Sequence, residues 1–168
     1  MKTSLTYHLD RGISINDTPI NWGMNRLNVR QQLGGIYKES DSVIDMSKYN
    51  NGSNEDDIIQ RRDIYKNYQG QDNFFFLNYD NKDLLIEVEI CHGLDLQIQK
   101  VKLDFEMDFY EAVGLLKNIS TDYQQTLDGE YLFKDLKLTI ANSEARGGDG
   151  NLLAYFYCTK NIDHLIEA

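Results

Sequence analysis

Two stretches of this chain, 83 residues apart (Ile20 set against Leu103), carry the same pattern. Pro19-Ile-Asn-Trp-Gly-Met-Asn-Arg-Leu27 overlays Lys102-Leu-Asp-Phe-Glu-Met-Asp-Phe-Tyr110 without a gap. Apolar pairs coincide at Ile20/Leu103, Trp22/Phe105, Met24/Met107 and Leu33/Leu116. Two residues able to cap a helix coincide as well, Asn25 and Asp108. Each copy reads as strand, methionine, cap, short helix, and then a run of strands. The same physics selects the same residue types at any strand–helix junction, so the match fixes a common design whether or not it records a duplication. The implied fold is α+β: antiparallel β-meander sheets with one short helix per half, two α–β units sharing one core. At 168 residues the chain is read as a single domain spanning 1–168, with halves at about 12–92 and 94–160.

The local signals agree. Gly12 to Trp22 predicts a hairpin turning at Asn16-Asp17, since Ile13 and Ile15 alternate before it and Ile20 and Trp22 after it. Leu27 and Leu33, with Val29 or Arg30 between them, predict a helix face, and Gly34-Gly35 supplies its stop. Residues 46–57 mix turn formers and acids without an apolar period, which predicts a mobile loop. Strands are expected at 63–68, 73–79 and 84–91, the last two joined by the turn Asp80-Asn81-Lys82-Asp83. Ile86, Val88 and Ile90 would face the core, and Glu87 and Glu89 would face out. In the second half, Leu94–Phe105 predicts two short strands or one bent one. A helix is expected over 109–119, with Ala112, Val113, Leu115 and Leu116 inward. One strand is expected over 130–140, with Leu136, Leu138 and Ile140 inward. The segment 146–151 reads as a hairpin loop, 152–159 as its return strand, and 161–168 as a short polar tail.

Little in the sequence carries catalytic or metal chemistry. His8, His92 and His164 lie far apart, and Cys91 and His92 would point to opposite faces of a strand, so no metal-ligand set is expected. Gly147-Gly148-Asp149-Gly150 lacks the strand-to-helix setting and the lysine of a phosphate loop, and its aspartate would repel phosphate. No cofactor is expected, and the chain reads as a non-enzyme. An enzyme acting on a cationic or carbohydrate substrate would need a buried pocket with two carboxylates. Cys91 and Cys158 fall in apolar strands and read as buried, reduced thiols. The first eleven residues hold no apolar core of signal-peptide length, and the default expectation is a cytoplasmic protein.

Charge is the remaining clue. Seventeen Lys and Arg stand against 27 Asp and Glu, a net −10. That disfavours nucleic acid and anionic membrane as partners and favours a basic protein. Eleven tyrosines could supply contact area at low entropic cost. Trp22-Gly23-Met24 leading into Asn28-Val29-Arg30-Gln31-Gln32-Leu33-Gly34 gives a Gly-Met…Val-Arg-x-x-Leu-Gly pattern, which the run from Phe74 to Glu89 continues. Together these segments resemble small bacterial immunity proteins of polymorphic toxin systems, including contact-dependent growth inhibition. A similar element occurs in outer-membrane assembly lipoproteins, which would need a lipoprotein signal. The immunity resemblance implies an inhibitor that binds its cognate toxin domain and brings no catalytic residues with it. The acids expected to meet a basic toxin domain are Glu87, Glu89, Asp104, Glu106 and Asp108, with Tyr79 and the loop acids Glu55, Asp56 and Asp57 beside them. A second expectation is a binding module that adds a partner strand to an exposed sheet edge, with 73–79 as the candidate edge.

Overall fold

The computed structural model describes residues 2–44 and 58–166. The predicted loop 46–57, and with it Glu55, Asp56 and Asp57, lies outside the described residues. The fold is α+β, and two sheets face each other across one core.

The five-stranded sheet combines β1 (Thr3–His8), β2 (Gly12–Ile15) and β3 (Thr18–Asn21) with β9 (Leu94–Ile98) and β10 (Val101–Leu103), in the order β10-β9-β1-β2-β3. The β2–β3 turn holds Asn16 and Asp17 at positive φ (47° and 67°), the twist a two-residue hairpin needs. β1 runs antiparallel to β2 but parallel to β9, so it joins the two halves. No expectation covered β1, although Thr3, Leu5 and Tyr7 alternate inward there.

The larger sheet takes β4 (Lys38–Glu39), β5 (Ser42–Ile44), β6 (Ile58–Lys66), β7 (Phe74–Tyr79) and β8 (Leu85–His92) from the first half. The second half gives it β11 (Tyr123–Leu127), β12 (Glu130–Phe133), β13 (Leu138–Asn142) and β14 (Leu153–Thr159). Its order is β11-β12-β13-β14-β8-β7-β6-β4, with β5 also on β6. Outward from the central pair β14·β8, each side is a meander from one half.

The helices sit at equivalent places. α1 (Arg26–Leu33) packs beside β3, and α2 (Phe109–Lys117) beside β10 and β13. The Asn25 side chain accepts from the Leu27 amide, and Asp108 accepts from the Tyr110 and Glu111 amides. α1 stops at Gly34, whose φ of 61° suits a residue without a Cβ. The matched methionines have one backbone role: the Leu85 amide donates to the Met24 carbonyl and the Leu153 amide to the Met107 carbonyl, both at 3.0 Å. Each contact ties a helix start to the first residue of the last meander strand.

One apolar core lies between the layers. Leu5, Tyr7, Ile13 and Ile98 face Phe75, Val88, Ile90 and Phe156, with Val29 from α1 and Phe109 and Leu116 from α2. Tyr7 sets its ring edge-on to Phe156 at 6.4 Å and donates its hydroxyl to the Leu136 carbonyl at 2.8 Å. Each such buried side chain contributes roughly 1.5–3 kcal/mol of transfer free energy. The chain crosses from the large sheet to the small one at Gly93, where a Cβ would sit 1.9 Å from the Asp72 carbonyl oxygen. That junction accepts only glycine.

Four expectations are corrected. The span 130–140 is not one strand but β12, a turn and β13; the turn carries Lys137 at φ 52° and still buries Leu136. Ile86 is only half-buried, because the β7–β8 register slips: Asn78 faces Glu87 while Tyr79 faces Leu85. Leu85 takes the inward place. The 73–79 segment is no edge, since β7 is paired on both sides. Cys158 is buried, but Cys91 is half-exposed on the outer face; both are free thiols. A short α3 (Asp163–Ile166) ends the described chain.

Candidate partner-binding surfaces

The core lies between the sheets, so each sheet has one outer face. The predicted acids divide between them and form no single patch.

On the five-stranded sheet, Leu94, Leu96 and Ile98 of β9 point inward, which turns Asp95 and Gln97 outward. With Ser4, Thr6, Lys102, Asp17 and Asp104 they line an open groove of about 450 Å³. Lys2 pairs with Asp95 at 2.9 Å. The Asp95 hydrogen bond, with smaller help from Asp104 and Glu106, holds the Lys2 ammonium above its ordinary pKa against the cost of burial. Three carboxylates thus act on one lysine, and acids outnumber the two lysines, Lys2 and Lys102, around the groove. Asp104, Glu106 and Asp108 follow one another along the connection from β10 to α2. Asp104 accepts from the Glu106 amide at 2.9 Å, and Asp108 caps α2 and accepts from the Asn151 side chain at 3.1 Å. Asp108 therefore has a structural duty as well as exposure, whereas Glu106 projects into solvent.

On the outer face of the large sheet, Glu89 is engaged. One carboxylate oxygen accepts from Arg62 Nη2 and Asn78 Nδ2, both at 2.8 Å, and the other accepts from the Tyr155 hydroxyl. Arg62 also lies over the Phe76 ring, and Arg146 over the Tyr155 ring at 4.0 Å. Burial, then the neighbouring Glu89, pushes the Tyr155 phenol up, so it stays a donor. The same two causes, in that order, raise the Cys91 thiol. Glu89 is the hub of this polar network, its charge met by Arg62, and not a free contact as expected. Glu87 is half-exposed beside Lys160 and His164. His164 meets the Tyr157 hydroxyl at 2.9 Å, and α3 lays Leu165 against Tyr155 and Tyr157.

Tyr79 belongs to neither face. Its side chain is 3% exposed, points inward and lies under the Arg26 guanidinium, so it cannot serve as a surface contact. It borders a cluster that sequence reasoning missed. Asp63 on β6 is fully buried; Arg26 reaches its Oδ1 at 2.7 Å and Arg30 reaches both of its oxygens at 2.7 and 2.8 Å. Arg26 also grips Asp41 with both terminal nitrogens, at 2.9 and 3.1 Å. Arg30 lies over the Tyr37 ring at 4.2 Å. A signal existed in the internal match, because Arg26 and Arg30 fall on Phe109 and Val113 of the second helix, both buried. Two arginines at apolar core positions demand a buried acid.

Among the described residues, no group of three or more His, Cys, Asp and Glu side chains could hold a metal ion, and no helix is long and apolar enough to cross a membrane. No protein-family model, curated protein or solved structure matches the chain.

Proposed function

We propose that the chain is an immunity-type protein of the cytoplasm that binds a basic toxin domain, a nuclease, and blocks its active site without chemistry of its own. The observation that carries this reading is the acidic groove of the five-stranded sheet, where Asp17, Asp95 and Asp104 gather and Glu106 follows. A nuclease presents a basic surface because it must hold phosphates, and an acidic inhibitor competes for the same patch. The net charge of −10 speeds the encounter at low salt. Glu89 and Tyr79 stay structural in this reading, and Asp104 and Glu106 make the contact.

The test is co-expression with the toxin domain encoded immediately upstream. The wild-type chain should restore growth and co-purify with that domain. The double variant Asp104→Lys, Glu106→Lys should slow association by tenfold or more at low salt, within the usual reach of electrostatic steering. Its association rate should also become nearly independent of salt. Equal rescue and equal rates for the two proteins, or a neighbouring gene that encodes no basic domain, would remove the basis of the reading.

A further inference from the structure

We propose that β11 is a docking edge that accepts an extended strand from a basic protein partner. Among the described residues, β11 ends the large sheet and pairs only with β12. All five of its residues, Tyr-Gln-Gln-Thr-Leu, are exposed and uncharged. The other described edges are guarded. β3 carries Pro19, and β10 is three residues long with Lys102 at its centre. β4 is the charged pair Lys38-Glu39, and β5 is three residues long and runs into the undescribed span. Short strands, proline and lysine are usual means of keeping an edge from pairing; β11 has none of these three, and its bulge lies beyond Gln125, past the regular run.

The backbone of β11 is set to receive a strand. The Lys134 amide donates to the Asp122 carbonyl at 2.8 Å, which marks 122/134 as a hydrogen-bonded pair. In an antiparallel ladder bonded and non-bonded pairs alternate. Tyr123 opposite Phe133 and Gln125 opposite Tyr131 are therefore the non-bonded pairs. Their N–H and C=O groups point away from β12, toward the open edge. That makes two donors and two acceptors at the spacing a partner strand presents. A bulge between Gln125 and Leu127 ends the regular run there.

Charge selects the occupant. Asp122 and Asp128 flank the strand and both are exposed. An extended segment with an uncharged centre and Lys or Arg at its ends would meet them. A second copy of this chain fits worse, since it would bring two more aspartates onto the same short ribbon and oppose two charges of −10.

The inference rests on the basic-partner reading for the identity of its occupant, but its test needs no toxin. Eight-residue peptides with a Thr, Val and Tyr centre and lysine at both ends are added to the full chain, and amide exchange is followed residue by residue. The Tyr123 and Gln125 amides should slow about tenfold at saturation, the factor expected for one net backbone hydrogen bond. Glutamate-ended peptides should leave them unchanged. Gln125→Pro removes an edge-facing N–H without touching the β11–β12 ladder, so it should fold normally and lose the protection at Tyr123. Unslowed amides with the lysine peptides, equal slowing by the glutamate peptides, or concentration-dependent slowing without peptide would each overturn the proposal. Unprotected amides in a chain that still neutralises its toxin would reject the edge and leave the function standing. Protected amides in a chain with no toxin would do the reverse.

Discussion

At the scale of single residues, Asp63 decides the most. It is fully buried, and both of its oxygens are held by guanidinium groups of one helix face. Removing it leaves two arginines in the core without their shared partner. Asp63→Ala should therefore cost about 3–5 kcal/mol, read as a lowered urea midpoint. The second half offers a replacement, since Phe109 and Val113 fill the places of Arg26 and Arg30. The triple variant Arg26→Phe, Arg30→Val, Asp63→Leu should recover that loss and fall within about 1–4 kcal/mol on the stable side of neutral. A triple variant no more stable than Asp63→Ala alone would show that Asp41 needs Arg26 as much as Asp63 does. Acid sensitivity belongs to this scale too. The Arg26 hydrogen bond holds the Asp41 carboxyl below its ordinary range, and hydrogen bonds from Ser120 and Thr121 do the same for Asp135 against the opposing effect of burial. A carboxyl whose folded pKa is depressed adds stability above the unfolded value of about 3.9 and loses it as pH falls through the folded value. Stability should decline below about pH 4. Asp41→Asn should flatten that decline in urea titrations at successive pH values.

At the scale of elements, the caps are the clearest levers. Asp108 receives two α2 amides and the Asn151 side chain, while Asn25 receives one α1 amide. Asp108→Ala should cost about 1–2 kcal/mol and Asn25→Ala no more than about 1, measured by urea unfolding. The elements legible in the sequence were those whose residues alternate or cap: the 12–22 hairpin, both helices and the β7–β8 hairpin. β11 was illegible because none of its residues is buried, so pairing with β12 and not apolar period makes it a strand. The slip at Ile86 was illegible because a bulge leaves no mark on an otherwise perfect alternation. The candidate acids were legible as exposed charges only. That Glu89 would be met by Arg62, Asn78 and Tyr155 depends on strands distant in sequence. Tyr79 was misplaced for another reason: a tyrosine at a strand end suits either face, and β7, paired on both sides, turns it inward with Phe75 and Leu77.

At the scale of the whole molecule, the sheet order binds the halves together twice, through β14 on β8 and through β1 on β9. In both cases the paired strands are dozens of residues apart, and such topologies fold slowly because loop closure must precede the reward. Fragments 1–93 and 94–168 should each lack native circular dichroism alone and regain it on mixing. Independent folding of either fragment would show that the shared core is dispensable. β1 has a particular consequence during synthesis. It leaves the ribosome ahead of β2 and β3, which can join it at once. Its other flank stays bare until residues 94–98 emerge. Until then the nascent chain carries an open strand with Leu5 and Tyr7 alternating, and β9 finishes what residues 3–8 begin.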